Sequence, residues 1–580
     1  MKKSIYIILI CLLFAVSSFS QDKTISKNSA VTFTSSNLPI VVINTNGQEI
    51  PDAYKITADM GIIYNGEGVR NYITDPFNNY NGKIGIEIRG STSQQFPKKQ
   101  YAVETRDALG NDLDVSLLGF PAESDWVLFA PYNDKSLMRD VLAYRIASDM
   151  GRYASRSKFC EVVLNGDYVG VYVLLEKIKR DANRVNIKKL EAPDTSGTAL
   201  TGGYIIKIDK TDGEGNDGWY SNYLPFAQRT NKIFYQYHYP KPEDIVAQQK
   251  AYIQNKIFAF ETIMYYSSNI ADPATGYPKY LDTDSFVDFM LVNEVVKNVD
   301  GYRLSTYLYK NRDDINPKIF AGPVWDFNLA FGNADYYEGW KTDGWQIKFL
   351  TDYQNIPEWE GFLTPFWWRK LYDDTNFRNK VYARWQNLKS NSLTTNKIIS
   401  YVDSLVTLLD EAKTRNFERW PVLGQYVWPN PFVGNTYQEE IDYLKNWIVN
   451  RITWLDQNMI GEPTNVDETN NQTPNDFLLE QNYPNPFNPT TKIKYTIPNV
   501  TLSGALPTGR PVEGSRVQVK IYDVLGKEVA TLVNEYKEAG NYEIEFNVAQ
   551  GSLPEITSGV YFYQLRAGDY VETKKMVLMR

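Results

Sequence analysis

The chain has 580 residues, 61 of them basic and 69 acidic, for a formal net charge of −8. That length is too great for a single hydrophobic core and implies several domains. The acidic balance offers no general attraction to a polyphosphate backbone, so nucleic acid is not an expected partner.

The first 20 residues read as a signal peptide. Lys2 and Lys3 precede an apolar run from Ile5 to Val16, and the small residues Ser17, Ser18 and Ser20 follow. The mature chain is expected to begin near Gln21. The apolar run is short for a bilayer span, and no later stretch is apolar enough for one, so no transmembrane segment is expected in the mature chain. Cys11 would leave with the leader, and Cys160 would then be the only thiol, with no internal disulfide. Residues 21–37 are polar and expected to be loosely ordered.

A main domain is expected over residues 38–460. Pro39–Asn44 reads as a buried strand, while Lys83–Arg89 and Lys99–Thr105 alternate with period two. Leu117–Phe120 and Trp126–Ser136 lead into a helix over Ser136–Ala147, with Asp134 as a candidate N-cap. Cys160 falls in the strand-like run Phe159–Leu164 and reads as a buried, inert thiol. Two strands are expected around the Asn165-Gly166 hairpin signal. The single histidine, His238, excludes histidine metal clusters and leaves a Ser-His-Asp triad without support. It reads as a structural or solvent-facing residue in a turn-like stretch. Any chemistry therefore falls to carboxylates, lysines and amides.

Helices are expected within Pro242–Tyr266 and over Thr283–Val299, the latter apolar on most sides and so buried. Tyr302–Tyr309 and Ile319–Trp325 return to strand. Residues 376–458 are largely helical, interrupted near Pro421–Pro431. The expected class is α+β, strand-rich first and helix-rich second. Residues 461–475, rich in Glu, Pro, Thr and Asn, read as a solvated linker. Residues 476–580 show short alternating runs such as Arg516–Tyr522 and Tyr542–Phe546, which predict an all-β sandwich with an inserted loop at 501–515.

Four stretches place charged groups at strand ends. Arg89-Gly-Ser-Thr-Ser93 runs into Pro97-Lys-Lys99, where Gly90, Ser91 and Ser93 can present amides and hydroxyls to an anion. Lys99 is in phase with Tyr101 and Val103 and is expected to point inward in preference to Lys98. A surface hairpin with solvated lysines is the commoner arrangement. Glu176 closes an apolar strand and needs a partner, for which Lys99 is the natural candidate; an ordinary structural ion pair is the alternative. Asn298-Val-Asp300 and Trp325-Asp-Phe-Asn328 place acids where a hard cation finds oxygen ligands. Caps and turns favour the same residues for local reasons.

Together these stretches resemble the CotH family of atypical, secreted kinase-like proteins over roughly Leu38–Leu455. Asn165–Tyr172 leading to Glu176 strengthens the resemblance. It implies a kinase-like α+β fold that binds ATP with Mg²⁺ (or Mn²⁺) and phosphorylates protein hydroxyls. It further implies Asp300 as the base for the hydroxyl proton, with Lys99 and Glu176 as the other catalytic residues. Arg89, Ser91, Ser93, Lys98 and Lys99 would contact nucleotide, and Asp326, Asn328 and Ser305 would hold the metal. Ser305 stands where kinase loops carry asparagine, and Asn328 where many family members carry aspartate. Both are neutral, which favours weak metal binding or a non-catalytic, structural pseudokinase. A third reading, a glycan-binding or carbohydrate-active surface protein, comes from 42 tyrosines and 13 tryptophans.

The final block, with Glu480–Pro489, Tyr522–Val529 and Ser558–Tyr563, resembles the C-terminal sorting domain of type IX secretion cargo. It implies the type IX machinery as partner and a secreted or surface-attached product.

Overall fold

The computed structural model describes residues 31–211, 217–459, 477–482, 484–498, 515–537, 540–548, 556–568 and 570–579. The signal peptide, the linker and positions 501–514 of the inserted loop lie outside the described residues. The chain divides into two compact units between Glu462 and Pro463. Among the described residues no helix is long and apolar enough to cross a membrane.

The alternating runs of the first unit close on themselves. Strands Ile40–Asn44, Ile56–Ile63, Tyr80–Arg89, Gln100–Arg106, Asp125–Phe129, Asp167–Glu176 and Ser157–Leu164 form a closed barrel in that order. Parallel pairing of Ile40–Asn44 with Ser157–Leu164 shuts it. Period two decides what faces in. Trp126, Leu128, Tyr172, Leu174 and Cys160 fill the interior. Val127, Phe129, Val171, Val173 and Leu175 face out and pack with the helix Arg139–Asp149 into the main core. Each such side chain contributes roughly 1.5–3 kcal/mol of burial, so both faces of the barrel wall are fixed by packing. Cys160 is free and buried, and desolvation lifts its thiol to about 12.

The helix Arg139–Asp149 begins later than expected, with Met138 and not Asp134 at its N-cap, and Asp134 anchors the turn before it. Its carboxylate accepts from Ser136 N at 3.0 Å and Arg139 N at 2.8 Å, and Arg139 closes a buried ion pair with it at 2.6 Å. A five-stranded sheet follows, ordered Gly218–Tyr220, Phe234–Tyr239, Tyr204–Ile208, Thr306–Lys310, Ile319–Ala321. His238 lies on the second of these strands, not in a turn. Its Nε2 is 2.8 Å from Ile178 O, and burial drives its pKa down to about 3.

The helix Thr283–Val296 is buried along nearly its whole length, as its apolar sequence predicts. Asp282 caps it through Ser285 N, and Lys297 ends it in the left-handed region at φ 48°. Trp367 and Trp368 are fully buried against Phe286, which makes them core packing and not sugar platforms. Tyr302–Ser305, expected as strand, is a turn: Tyr302 and Ser305 take φ 69° and 45°, and pairing begins only at Thr306. Helices Phe366–Asp373 through Tyr437–Asn458 complete the unit, which is of mixed α and β content.

Among its described residues the second unit is all β. A three-stranded and a four-stranded antiparallel sheet share one core, with Ile493, Tyr495, Val517, Val519, Tyr563 and Leu565 inside. The asparagine-proline opening fastens these sheets. Asn482 Nδ2 donates to Thr491 Oγ1 at 2.9 Å, Asn482 N donates to Tyr563 OH at 2.7 Å, and Asn485 Oδ1 accepts from Val577 N at 2.8 Å.

Candidate functional site

Asp326 follows the strand Ile319–Ala321 and sits at φ 63°, a conformation that aspartate tolerates better than most residues. The helix Arg139–Asp149 holds that turn in place. Asp326 N donates to Tyr144 OH at 3.1 Å, Phe327 N donates to Asp140 Oδ1 at 2.6 Å, and Tyr144 stacks on Trp325 at 6.2 Å. Asn328 is anchored through Nδ2 to Asn133 Oδ1 at 3.1 Å.

Residue Asp326 is exposed, yet its carboxylate is strongly desolvated. The two observations fit one situation: an acid that reaches solvent from among closely packed neighbours. Desolvation raises its pKa to about 6; Arg89 pulls it down, Asp300 and Asp209 push it up, and Lys210 pulls down. Behind it, burial and the Asp326 charge hold the Asp140 carboxyl well above the usual carboxylate range. Asp326 and Asp300 thus share one electrostatic neighbourhood, together with two acids and two cations.

Each neighbour has its own anchor. Asp300 follows the buried helix, with its N donating to Asn298 Oδ1 at 3.2 Å and its Oδ1 accepting from Arg303 at 2.6 Å. Gly301 is required beside it, because a Cβ there would lie 2.5 Å from Asn293 Oδ1. Ser305 N donates to Asp209 Oδ1 at 3.3 Å, which draws Ser305 to the same place. The Arg89 guanidinium lies 5.5 Å from the Trp325 ring centroid. Lys210 Nζ donates to Thr92 Oγ1 at 2.9 Å, tying the glycine-serine loop to the strand end that carries Asp209. That loop is a 3-10 turn over Thr92–Gln95. Gly90 at φ +100° closes it tightly, since a Cβ there would meet the Ser93 hydroxyl at 2.0 Å. Ser91 is exposed and Ser93 half-buried on this loop.

Three expected partners stand apart. Lys99 is half-buried and donates to Gln94 O at 2.5 Å, so it braces the loop. Lys98 is the buried one: its Nζ donates to Val171 O at 2.5 Å and Asn416 Oδ1 at 2.8 Å, lies over the Tyr172 ring, and has its pKa lowered to about 7 by desolvation. The expected phase fails because the strand begins at Gln100 and alternation does not extend back to residues 98 and 99. Glu176 is fully buried, and its partners are Arg156 at 2.6 Å, Arg184 at 3.8 Å and Tyr153 OH at 3.2 Å. The Lys99 Nζ is taken up by Gln94 O and the Glu176 carboxylate by Arg156 and Arg184. Glu176 and Lys99 are therefore not paired.

Asp209, Lys210 and Asp140 were not singled out from sequence. Asp209-Lys210 carried a usable signal, since it ends the apolar strand Tyr204–Ile208 as Asp326 follows a buried strand. Among the described residues no three acidic, cysteine or histidine side chains are gathered closely enough to hold a metal by themselves.

The family model for CotH kinase protein matches residues 86–455, well over half of the chain and inclusive of every residue named above at the cleft. The chain belongs to the CotH family. It is 23% identical over 375 residues to inner spore coat protein H of Bacillus subtilis (strain 168), a match spanning 64% of this chain and 86% of that protein. The model for a secretion system C-terminal sorting domain matches residues 481–579. That domain implies type IX sorting, and with it export to the cell surface or the medium.

Proposed function

We propose that the main unit of this CotH-family protein is an ATP- and Mg²⁺- (or Mn²⁺-) dependent phosphotransferase acting on protein hydroxyls, with a kinase-like arrangement. The observation that carries this reading is the position of Asp326: accessible, unrelieved by any hydrogen bond among the described residues, and set among Asp300, Asp209, Arg89 and Lys210. Acids held together at a cost in repulsion call for a cation, and the cations beside them suit an anion.

The donor set fits a hard divalent ion bound through one or two carboxylates, with phosphate and water completing its shell. Asp326 would supply the charged oxygen, and Asn328 and Ser305 neutral ones. Bound there, the ion supplies neutralisation of phosphate charge. Arg89, Lys210 and the Gly90–Ser93 loop are the groups that would face the phosphates, with Lys99 bracing the loop through Gln94. Lys98 and Glu176 act as structural residues in this account, because their charged ends are buried and engaged. Asp300, oriented by Arg303, takes the proton of the acceptor hydroxyl. That oxygen bonds to the γ-phosphorus, the bond from phosphorus to the β,γ-bridging oxygen breaks, and ADP leaves with the bridging oxygen.

The non-catalytic alternative draws on Ser305 and Asn328, neutral where stronger metal ligands would carry charge or an amide. Incubation of the mature chain with γ-labelled ATP and Mg²⁺ or Mn²⁺, with casein as acceptor, separates the two. Label on protein, lost in Asp300→Asn, supports transfer. Nucleotide binding without label supports the pseudokinase reading.

A further inference from the structure

A cavity of about 570 Å³ has Arg303 in its lining. Asp209 and Arg303 contribute to its lining, so it borders the acidic cleft. Arg303 also holds Asp300 at 2.6 Å, which places the cavity one guanidinium away from the proposed base. The remaining Arg303 donors are committed to Glu360 at 3.0 Å, Phe362 O at 3.1 Å and Val299 O at 3.2 Å. Arg303 is therefore held in place and is not a free cation, and it joins the cavity lining directly to Asp300.

The rest of the lining is mixed. Tyr220 and Phe234 have ring centroids 4.8 Å apart; Phe234 is half-buried, while Tyr220 and Phe362 are exposed at 61% and 39%. Thr230, Asn231 and Lys232 add polar groups, and Lys232 has no ion pair among the described residues. Tyr220 belongs to Gly218–Tyr220, the outer strand of the five-stranded sheet, whose second edge carries no strand among the described residues. Apolar room for side chains, polar groups between, and an outer strand beside them form the pattern by which extended peptides are bound. The volume falls in the range of ligand sites and exceeds what one hydroxyl side chain would fill.

We propose that this cavity is the acceptor subsite: it binds an extended polypeptide whose hydroxyl-bearing residue reaches Asp300. A neighbouring apolar side chain of that polypeptide enters between Tyr220, Phe234 and Phe362. The proposal rests on the phosphotransfer reading for the role of Asp300, but its binding claim stands by itself. Gly361 gives a direct test. A Cβ added there meets only Asn231 Nδ2 at 3.7 Å, and its φ is outside the left-handed region, so a large side chain can be introduced into the lining without backbone strain.

The mature full chain is screened against immobilised decapeptides with a central serine, threonine or tyrosine, and against neutral oligosaccharides. Wild type, Gly361→Trp and Tyr220→Ala are compared, and MgATP affinity is measured on the same samples. Peptide affinity is expected to fall at least tenfold in Gly361→Trp and severalfold in Tyr220→Ala, with MgATP affinity unchanged. A wild type that retains no peptide, one that retains oligosaccharide instead, or peptide binding equal in all three proteins overturns the proposal. Peptide captured through the cavity by a protein that binds no MgATP leaves the subsite standing and removes the phosphotransfer reading.

Discussion

Glu294 and Asp326 are treated in opposite ways by the same unit. Glu294 is fully buried and its oxygens are taken up: Arg451 at 3.2 Å, Tyr302 OH at 2.9 Å, Gln346 N at 2.9 Å and Ile347 N at 2.8 Å. Asp326 reaches solvent, and among the described residues nothing donates to its carboxylate; desolvation raises its pKa, Arg89 offsets part of that, and Asp300 and Asp209 press on it with like charge. Burial of a charge is costly unless it is paired and hydrogen-bonded. The first acid obeys that rule and serves stability. The second departs from it at a cleft, which is where function is expected to hold unrelieved charge.

The largest expected effect breaks the first half of this contrast. Glu294→Ala leaves Arg451 buried without its anion and should destabilise the main unit by about 3–5 kcal/mol. Asp326→Asn, which keeps a residue tolerant of φ 63°, should leave the denaturation midpoint unchanged or raise it, since it removes a charge that desolvation, Asp300 and Asp209 disfavour. Urea unfolding of both variants checks this. Equal destabilisation by the two would erase the distinction.

Lys98 sharpens the contrast as a third case, a buried ammonium with neutral acceptors only. Its folded pKa of about 7 lies below the ordinary lysine value of 10.5. Between those values the unfolded chain binds the proton more strongly, so this residue makes stability rise with pH from about 7 to 10.5, with the full penalty present below 7. Lys98→Met removes that slope, at most about 1.4 kcal/mol per pH unit. Unfolding of wild type and variant across pH 6–10 gives the difference curve, and a flat difference would contradict the assignment. His238, at about 3, works in the acid range: its contribution is lost as pH falls below 6.5 toward 3. Being the single histidine, it should show an imidazole proton resonance that does not titrate between pH 5 and 8.

A smaller effect is expected from Asn328→Asp. It adds a fourth like charge around Asp326, so the apo protein should melt a few degrees lower. Mg²⁺ or Mn²⁺ with ATP should restore the melting temperature and bind severalfold more tightly than to wild type. A lowered melting temperature that metal does not restore would place Asn328 outside the metal's reach.

Local pattern carried much of this molecule, because strand alternation and the buried apolar helix are decided within a few residues. Barrel closure was not legible, since Ile40–Asn44 pairs with Ser157–Leu164 across more than a hundred positions. Asp300, Asp326, Ser305, Asn328 and Arg89 stand out by motif; the fold brings Asp300 and Arg89 beside Asp326 and Ser305 beside Asp209, while the Asn328 amide turns to Asn133. Lys98 and Lys99 were read in the wrong phase because alternation was carried past the start of the strand. For Glu176 the structural ion pair is the alternative that holds, and its partners Arg156 and Arg184 come from a loop and a turn with no pattern to announce them. Asp209 was missed because a strand-end acid is common, and only its hydrogen bond from Ser305 sets it apart.

The central claim is that the unrelieved acids form a metal-nucleotide site. Calorimetric titration of the mature chain with ATP and Mg²⁺ or Mn²⁺, beside Asp326→Ala, Asn328→Asp and Ser305→Asn, tests it most directly. The account predicts metal-dependent binding in the wild type, none in Asp326→Ala despite an unchanged fold, and tighter binding in the other two. No nucleotide heat from the wild type, and none from either Asn328→Asp or Ser305→Asn, would contradict it.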